Sequence, residues 1–208
     1  EIPWIDIRSS DPIPWMWETL DNYWRNNGNK RTMMLNYLGS FTYGDLDQDH
    51  NWDLGHDAAY PAYWSGDTDA SWRSYNDQIK RITHKGAWEG IFTLHMDTPG
   101  HFGLNMKEYE ELTIRTVQFS DFSPLVQQHG QGGRLVREAT PKIQEMMKFS
   151  RKLRYRLIPY IYTYNWEMWS KSLPITRPMD MIFPDDNSVT EKFQQYMFGD
   201  NFLVAPVT

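Results

Sequence analysis

The sequence predicts an α/β fold in which parallel strands alternate with crossover helices. Three observations lead to it. Short apolar runs alternate with longer stretches of helical spacing along most of the chain, and strand–helix–strand alternation implies right-handed crossovers and a parallel sheet. Several apolar runs lead into a polar residue, at Asp6, Asp67, Asp97 and His129. In a (β/α)8 barrel every strand C-terminus opens onto the face that carries the active site, so one architecture accounts for all four positions. After Leu173 the helical spacing stops and short strands with turn residues take over.

Taken in order, Ile2 to Ile7 reads as a strand. Pro14 to Asn26 carries Trp15, Trp17, Leu20 and Trp24 at helical spacing. Arg31 to Leu38, with the buried run Met33-Met34-Leu35, and Tyr60 to Ser65 read as strands, and Ala70 to His84 as a helix. Gly90 to Met96 is a strand, Lys107 to Val117 a helix, and Ser123 to Gln128 a short strand end. A long helix covers Pro141 to Lys171. Two prolines fall between Leu173 and Phe183, and Gly199-Asp200-Asn201 between apolar runs signals a hairpin within Gln195 to Val207. Tyr43 to Asp57 is an acidic, glycine-containing loop long enough to wall a site.

Composition narrows the chemistry. Aromatics make up 15% of the 208 residues, with 10 Trp and 12 Tyr, and flat apolar faces with polar edges suit sugar rings as well as cores. A net charge of −6 without a basic block argues against a nucleic-acid partner. The basic stretch from Lys148 to Arg156 reads as one solvated or salt-bridged helix face. There are no cysteines, which removes disulfides, thiolate zinc sites and thiol nucleophiles. No apolar run approaches the length of a membrane span. No cofactor or metal is expected. The six histidines show no helical pair spacing, and His50 and His56 among Asp47, Asp49, Asp53 and Asp57 read as a solvated loop.

Six segments then point to one family. They are Trp4-Ile5-Asp6, Tyr63-Trp64-Ser65-Gly66-Asp67-Thr68, Met96-Asp97-Thr98-Pro99-Gly100-His101, Gln118 to Leu125 with His129, Leu153 to Tyr162, and Tyr196 to Val207. In this order they resemble glycoside hydrolase family 31, the α-glucosidase and α-xylosidase family. The resemblance implies the second half of a (β/α)8 barrel, from about the fourth strand, over residues 1–172. The start of a C-terminal β-sandwich domain would occupy 173–208. Such a chain would need the upstream half of the enzyme as its partner to be stable and active. It implies an exo-acting hydrolase that cleaves terminal α-linked sugars from oligosaccharides or α-glycosides.

Retaining hydrolysis places two carboxyl groups about 5–5.5 Å apart, one as nucleophile and one as acid and then base. The resemblance assigns Asp6 as nucleophile and Asp67 as acid/base, with Gly66 turning the backbone out of the strand. It places Trp4, Tyr37, Trp64, Asp97 and His129 around the substrate. Trp64 would be an apolar wall, His129 a donor to sugar hydroxyls, and Asp97 a hydroxyl ligand or an anchor of the site. His101 is expected to be structural or supporting. Tyr37 stands where the family carries an Arg, and Met96 where it carries a His. That leaves room for a galacto-configured or 2-acetamido sugar, for transglycosylation, or for a relative that binds without turnover.

Overall fold

A computed structural model describes residues 64–65, 67–103, 109–130, 136–190 and 192–208, and the backbone of the strands at 35–37 and 62–63. Strands β1 (Leu35–Tyr37), β2 (Ala62–Trp64) and β3 (Leu94–His95) form a parallel sheet in that order, with Tyr37 opposite Trp64 and Trp64 opposite His95. Strands β4 (Asp97–Pro99) and β5 (Gln127–His129) form a second parallel ladder, pairing Asp97 with Gln127 and Pro99 with His129. Met96 alone separates β3 from β4. The expected strand from Gly90 to Met96 therefore starts later and resumes beyond Met96, and Asp97 opens a strand instead of closing one. A carboxylate can sit there because it is hydrogen-bonded. β5 lies slightly later than expected, because the Ser123 hydroxyl donates to the Leu125 carbonyl at 2.6 Å and holds that segment as a turn.

The helices follow the apolar spacing, with local adjustments. Helix α1 (Trp72–Lys80) is capped by Ser71, whose hydroxyl accepts from the Ser74 N–H at 3.1 Å. It continues through a π turn, Arg81–Lys85, and a final α turn, Gly86–Trp88. Helix α2 (Glu110–Asp121) runs past Val117, where the sequence reading ends it. Its buried hydroxyls bond back along the helix, Thr116 to Leu112 O at 2.9 Å and Ser120 to Val117 O at 2.8 Å, so polar residues there do not stop it. Helix α3 (Pro141–Lys171) matches its expected bounds. Thr140 caps it, Pro141 takes the first turn, where a missing N–H costs nothing, and Ser172 ends it in the left-handed region at φ 53°.

The basic stretch of α3 is not one solvated face. Lys148, Lys152 and Arg156 are exposed, but Arg154 turns inward. It donates to the carbonyls of Asp121, Ser123 and Pro124 at 2.8, 2.6 and 2.8 Å. Burial lowers its pKa to about 10. Asp121 accepts from the Ser150 hydroxyl at 2.7 Å, and burial raises its pKa. A guanidinium with five donors suits three carbonyls that end α2 and open the next turn. These bonds set the start of the segment that leads into β5. Among the described residues, no helix is long and apolar enough to cross a membrane.

Beyond α3 the ladder becomes antiparallel, β6 (Thr176–Pro178), β7 (Tyr196–Phe198), β8 (Phe202–Val204) in that order. A helical turn, α4 (Met179–Ile182), interrupts what the sequence reading took as strands alone. Asp180 in its first turn meets His84 at 3.2 Å, which anchors it to the end of α1. Tyr196 and Phe198 are fully buried, in one apolar cluster with Tyr75, Ile79, Leu112, Phe119 and Tyr164. The C-terminal hairpin thus shares its core with the helices of the parallel part. Its turn is clamped by α3. Tyr160 donates to Phe198 O at 2.9 Å, and Tyr164 accepts from the Asp200 N–H at 2.9 Å.

Gly199 sits between these rings at φ +61°, and a Cβ there would lie 2.6 Å from the Tyr164 ring. Gly199→Ala is expected to cost about 1–3 kcal/mol through overpacking and left-handed strain. Asn201→Ala, at an exposed position two residues on, should stay within about 0.5 kcal/mol. Urea midpoints decide the point, and equal midpoints for the two variants would refute the clamp.

Candidate active site

The site is built where the segment after β2 meets the segment after β4. β2 is tied to its neighbour by the Ser65 N–H, which donates to His95 O at 3.0 Å. Two residues past Ser65, the chain bends at Asp67. The Thr68 carbonyl then accepts from the N–H groups of His101 and Phe102, at 2.6 and 3.1 Å. Ala70 N–H donates to Phe102 O at 2.8 Å, and Asp69 and Phe102 form a parallel bridge. The two segments touch backbone to backbone. Gly100 allows it: at φ +151°, an added Cβ would lie 2.6 Å from both Cα and N of Ala70.

This contact sets the side chains. The Trp64 indole N–H donates to Asp97 Oδ1 at 2.7 Å. Asp97 is fully buried, so its carboxylate depends on such bonds. His101 Nδ1 lies 3.2 Å from Asp67 Oδ1 and 3.7 Å from Asp97 Oδ2. The His101 side chain is 12% exposed, whereas that of Asp67 keeps 28%. Asp67 is therefore the carboxylate that an incoming molecule can reach, and Asp97 is held behind it. His129, at the end of β5, packs against Trp64 at 5.5 Å, edge to face, and against His101 at 4.8 Å between ring centroids. One carboxylate oxygen of each of Asp67 and Asp97 and one ring nitrogen of each of His101 and His129 lie within 4.8 Å of one another.

Of the residues singled out in the sequence, the structure brings Trp64, Asp67, Asp97 and His129 together. Tyr37 closes β1, with its backbone in register with Trp64. Asp6, Trp4, Gly66 and the acidic loop from Tyr43 to Asp57 lie outside the described residues. Two features differ from expectation. Trp64, expected as an apolar wall, donates its indole N–H to Asp97. His101, taken as supporting, touches both carboxylates. The Gly100-His101 pair after β4 is the available signal; Asp97 lies four residues upstream in the same segment, but Asp67 lies on another loop.

The family model described as "Glycosyl hydrolases family 31 TIM-barrel domain" matches residues 55–164. The model described as "Glycosyl hydrolase family 31 C-terminal domain" matches 172–208. An α-xylosidase from Saccharolobus solfataricus is 37% identical over 152 residues, covering 70% of this chain and 20% of that protein. A probable α-glucosidase from Oryza sativa subsp. japonica is 34% identical over 151 residues, covering 71% of this chain and 16% of its own length. Among solved structures, a family 31 α-xylosidase from Xanthomonas citri aligns with a TM-score of 0.64 at 32% identity, over 71% of this chain and 17% of that one. A family 31 dextranase from Flavobacterium johnsoniae, complexed with glucose, aligns with a TM-score of 0.72 at 26% identity, over 93% and 24%. The chain thus spans roughly a fifth of the length of the relatives it matches.

The backbone contact makes a test of the site. Gly100→Ala should destabilise the protein more than Gly103→Ala, whose Cβ would meet Ala70 atoms only at ordinary distances of 3.6 to 3.8 Å. Gly103→Ala carries backbone strain alone, about 1–2 kcal/mol, and Gly100→Ala adds a collision with main chain that cannot move aside. Chemical denaturation of the two variants would contradict the close approach if their costs were equal.

Proposed function

The chain belongs to glycoside hydrolase family 31, and from that premise we propose that it carries the acid/base side of a retaining, exo-acting α-glycosidase. Its substrate is the terminal α-linked sugar of an oligosaccharide or other α-glycoside. The observation that carries the reading is the convergence of Asp67 after β2, Asp97 at the start of β4, His101 after β4 and His129 at the end of β5. A barrel places its chemistry at that face.

In this reading Asp6 attacks the anomeric carbon while Asp67 gives its proton to the leaving glycosidic oxygen. The C–O bond breaks and a glycosyl ester forms on Asp6. Asp67, now a carboxylate, takes a proton from water. That water attacks the anomeric carbon and releases Asp6, so the product keeps the α configuration. Asp97 and His129 bind hydroxyls of the sugar, and Trp64 packs beside the ring while it holds Asp97 in place. Trp4 and Tyr37 complete the pocket. Tyr37 replaces an arginine of the family pattern, so the pocket carries one cation fewer at that position and can admit a sugar other than glucose. The remaining barrel strands come from the upstream half that family members carry. The boundary between barrel and C-terminal domain falls at 172/173.

The exposure of Asp67 beside the buried Asp97 supports the assignment of the proton to Asp67. Removing it should act mainly where the leaving group needs a proton. Asp67→Ala is expected to lower kcat on natural α-glycosides by about 10²–10⁴-fold. With an activated glycosyl fluoride, azide should restore turnover and yield an α-glycosyl azide, because the azide ion needs no base. Steady-state kinetics and mass spectrometry of the product read both effects. Asp67→Ala with unchanged kcat on natural substrates would rule out the role.

A further inference from the structure

We propose that Asp67, Asp97, His101 and His129 also form a zinc site that overlaps the sugar pocket, so that Zn²⁺ reversibly blocks the proton transfer. No spacing in the sequence signals it, because the four ligands come from three separate segments. The structure assembles them. Their donor atoms lie within 4.8 Å of one another. Zinc bonds to N and O ligands of about 2.0–2.2 Å put tetrahedral donors about 3.3–3.6 Å apart. The separations of 3.2 Å from His101 Nδ1 to Asp67 Oδ1 and 3.7 Å to Asp97 Oδ2 bracket that value.

The donor set selects the ion. Two imidazoles with two carboxylates suit zinc. Calcium and magnesium ask for six or more oxygen donors, which this cluster does not offer. The two carboxylates also supply the charge that neutralises a dication. Their orientation is already fixed by outer contacts. The Trp64 indole holds Asp97 Oδ1 at 2.7 Å, which leaves Oδ2 turned toward His101. The His101 main chain is held by the Thr68 carbonyl at 2.6 Å. His129 is placed by the β4–β5 register. Asp67 Oδ1, Asp97 Oδ2 and His101 Nδ1 are all shielded from bulk water, so an ion there competes with few waters. Such outer contacts are worth roughly 10–100-fold in metal affinity.

The binding claim stands on geometry alone. The inhibition rests on the acid/base reading of Asp67. A metal on that carboxylate displaces its proton, so sugar hydrolysis and zinc occupancy exclude each other.

The test uses full-length protein stripped with a chelator and titrated with ZnCl₂ by calorimetry, and with Co²⁺ by visible absorption. One Zn²⁺ per chain and the intense d–d band of four-coordinate Co²⁺ are expected. His101→Ala and His129→Ala should each weaken binding at least tenfold, and Trp64→Phe about tenfold. Near-UV circular dichroism checks that each variant is folded. Without any substitution, the imidazole resonances of His101 and His129 should shift on adding Zn²⁺. Absence of binding, unshifted imidazoles, or equal affinity in folded His101→Ala and His129→Ala would overturn the site. The last result would move the ion elsewhere, such as to the stretch from Tyr43 to Asp57. Zinc should raise KM in proportion to occupancy and EDTA should restore it. A protein that binds zinc here but hydrolyses no glycoside overturns the function and leaves the site standing. One that hydrolyses glycosides without binding zinc overturns only the site.

Discussion

The backbone contact between the segments after β2 and β4 is the constraint on which the site depends. Thr68 O takes two N–H groups from His101 and Phe102, and Ala70 returns a bond to Phe102. Thr68 to Ala70 and His101-Phe102 are thereby tied together without any side chain taking part. That matters because a carboxylate on a free turn would sample many positions, and a misplacement of about 1 Å can cost on the order of 100-fold in rate. With main chain locked to main chain, Asp67 and His101 face each other as a consequence of where their Cα atoms lie.

A second layer supports the first. Asp97 is a fully buried carboxylate, and leaving such a group without donors costs several kcal/mol. The Trp64 indole supplies one at 2.7 Å. Because Trp64 closes β2 and Asp97 opens β4, the bond crosses from one parallel ladder to the other. His129 packs on the same indole and brings in the end of β5. Farther out, Arg154 gathers three carbonyls before β5, and α3 clamps the C-terminal hairpin through Tyr160 and Tyr164. The chain of support runs from the hairpin, through the long helix, to the strand that carries His129. A defect at Gly199 and a defect at Gly100 would therefore act on the same core from opposite ends.

Much of this was legible in the sequence, for identifiable reasons. Helix α3 could be read residue by residue because Thr140-Pro141 opens it and Lys171-Ser172 ends it, both local signals. The hairpin was legible from Gly199-Asp200-Asn201 between apolar runs. Trp64, Asp67, Asp97 and His129 could be picked out because each is, or lies next to, a polar residue that follows an apolar run in the sequence. Other features were hidden because their cause is tertiary. Asp97 opens a strand only because an indole from another strand satisfies it. Helix α2 outlasts Val117 because its hydroxyls bond within the helix. Arg154 looks like part of a charged face until the carbonyls that receive it are placed. His101 carried little signal beyond its glycine, since Asp97 lies four residues upstream but Asp67 reaches it only through a tertiary contact that no local pattern encodes.

If Asp67, held by this contact, works as one of two carboxylates in a double displacement, the first product keeps the α configuration. Proton NMR during hydrolysis of aryl α-glycosides (gluco, xylo, galacto and 2-acetamido-galacto) distinguishes the anomers before mutarotation mixes them. The account requires the α-anomer to appear first on whichever glycoside is turned over. Initial release of the β-anomer would contradict it, since it would require a carboxyl separation of about 6.5–9.5 Å, with water between the pair, instead of an ester on Asp6.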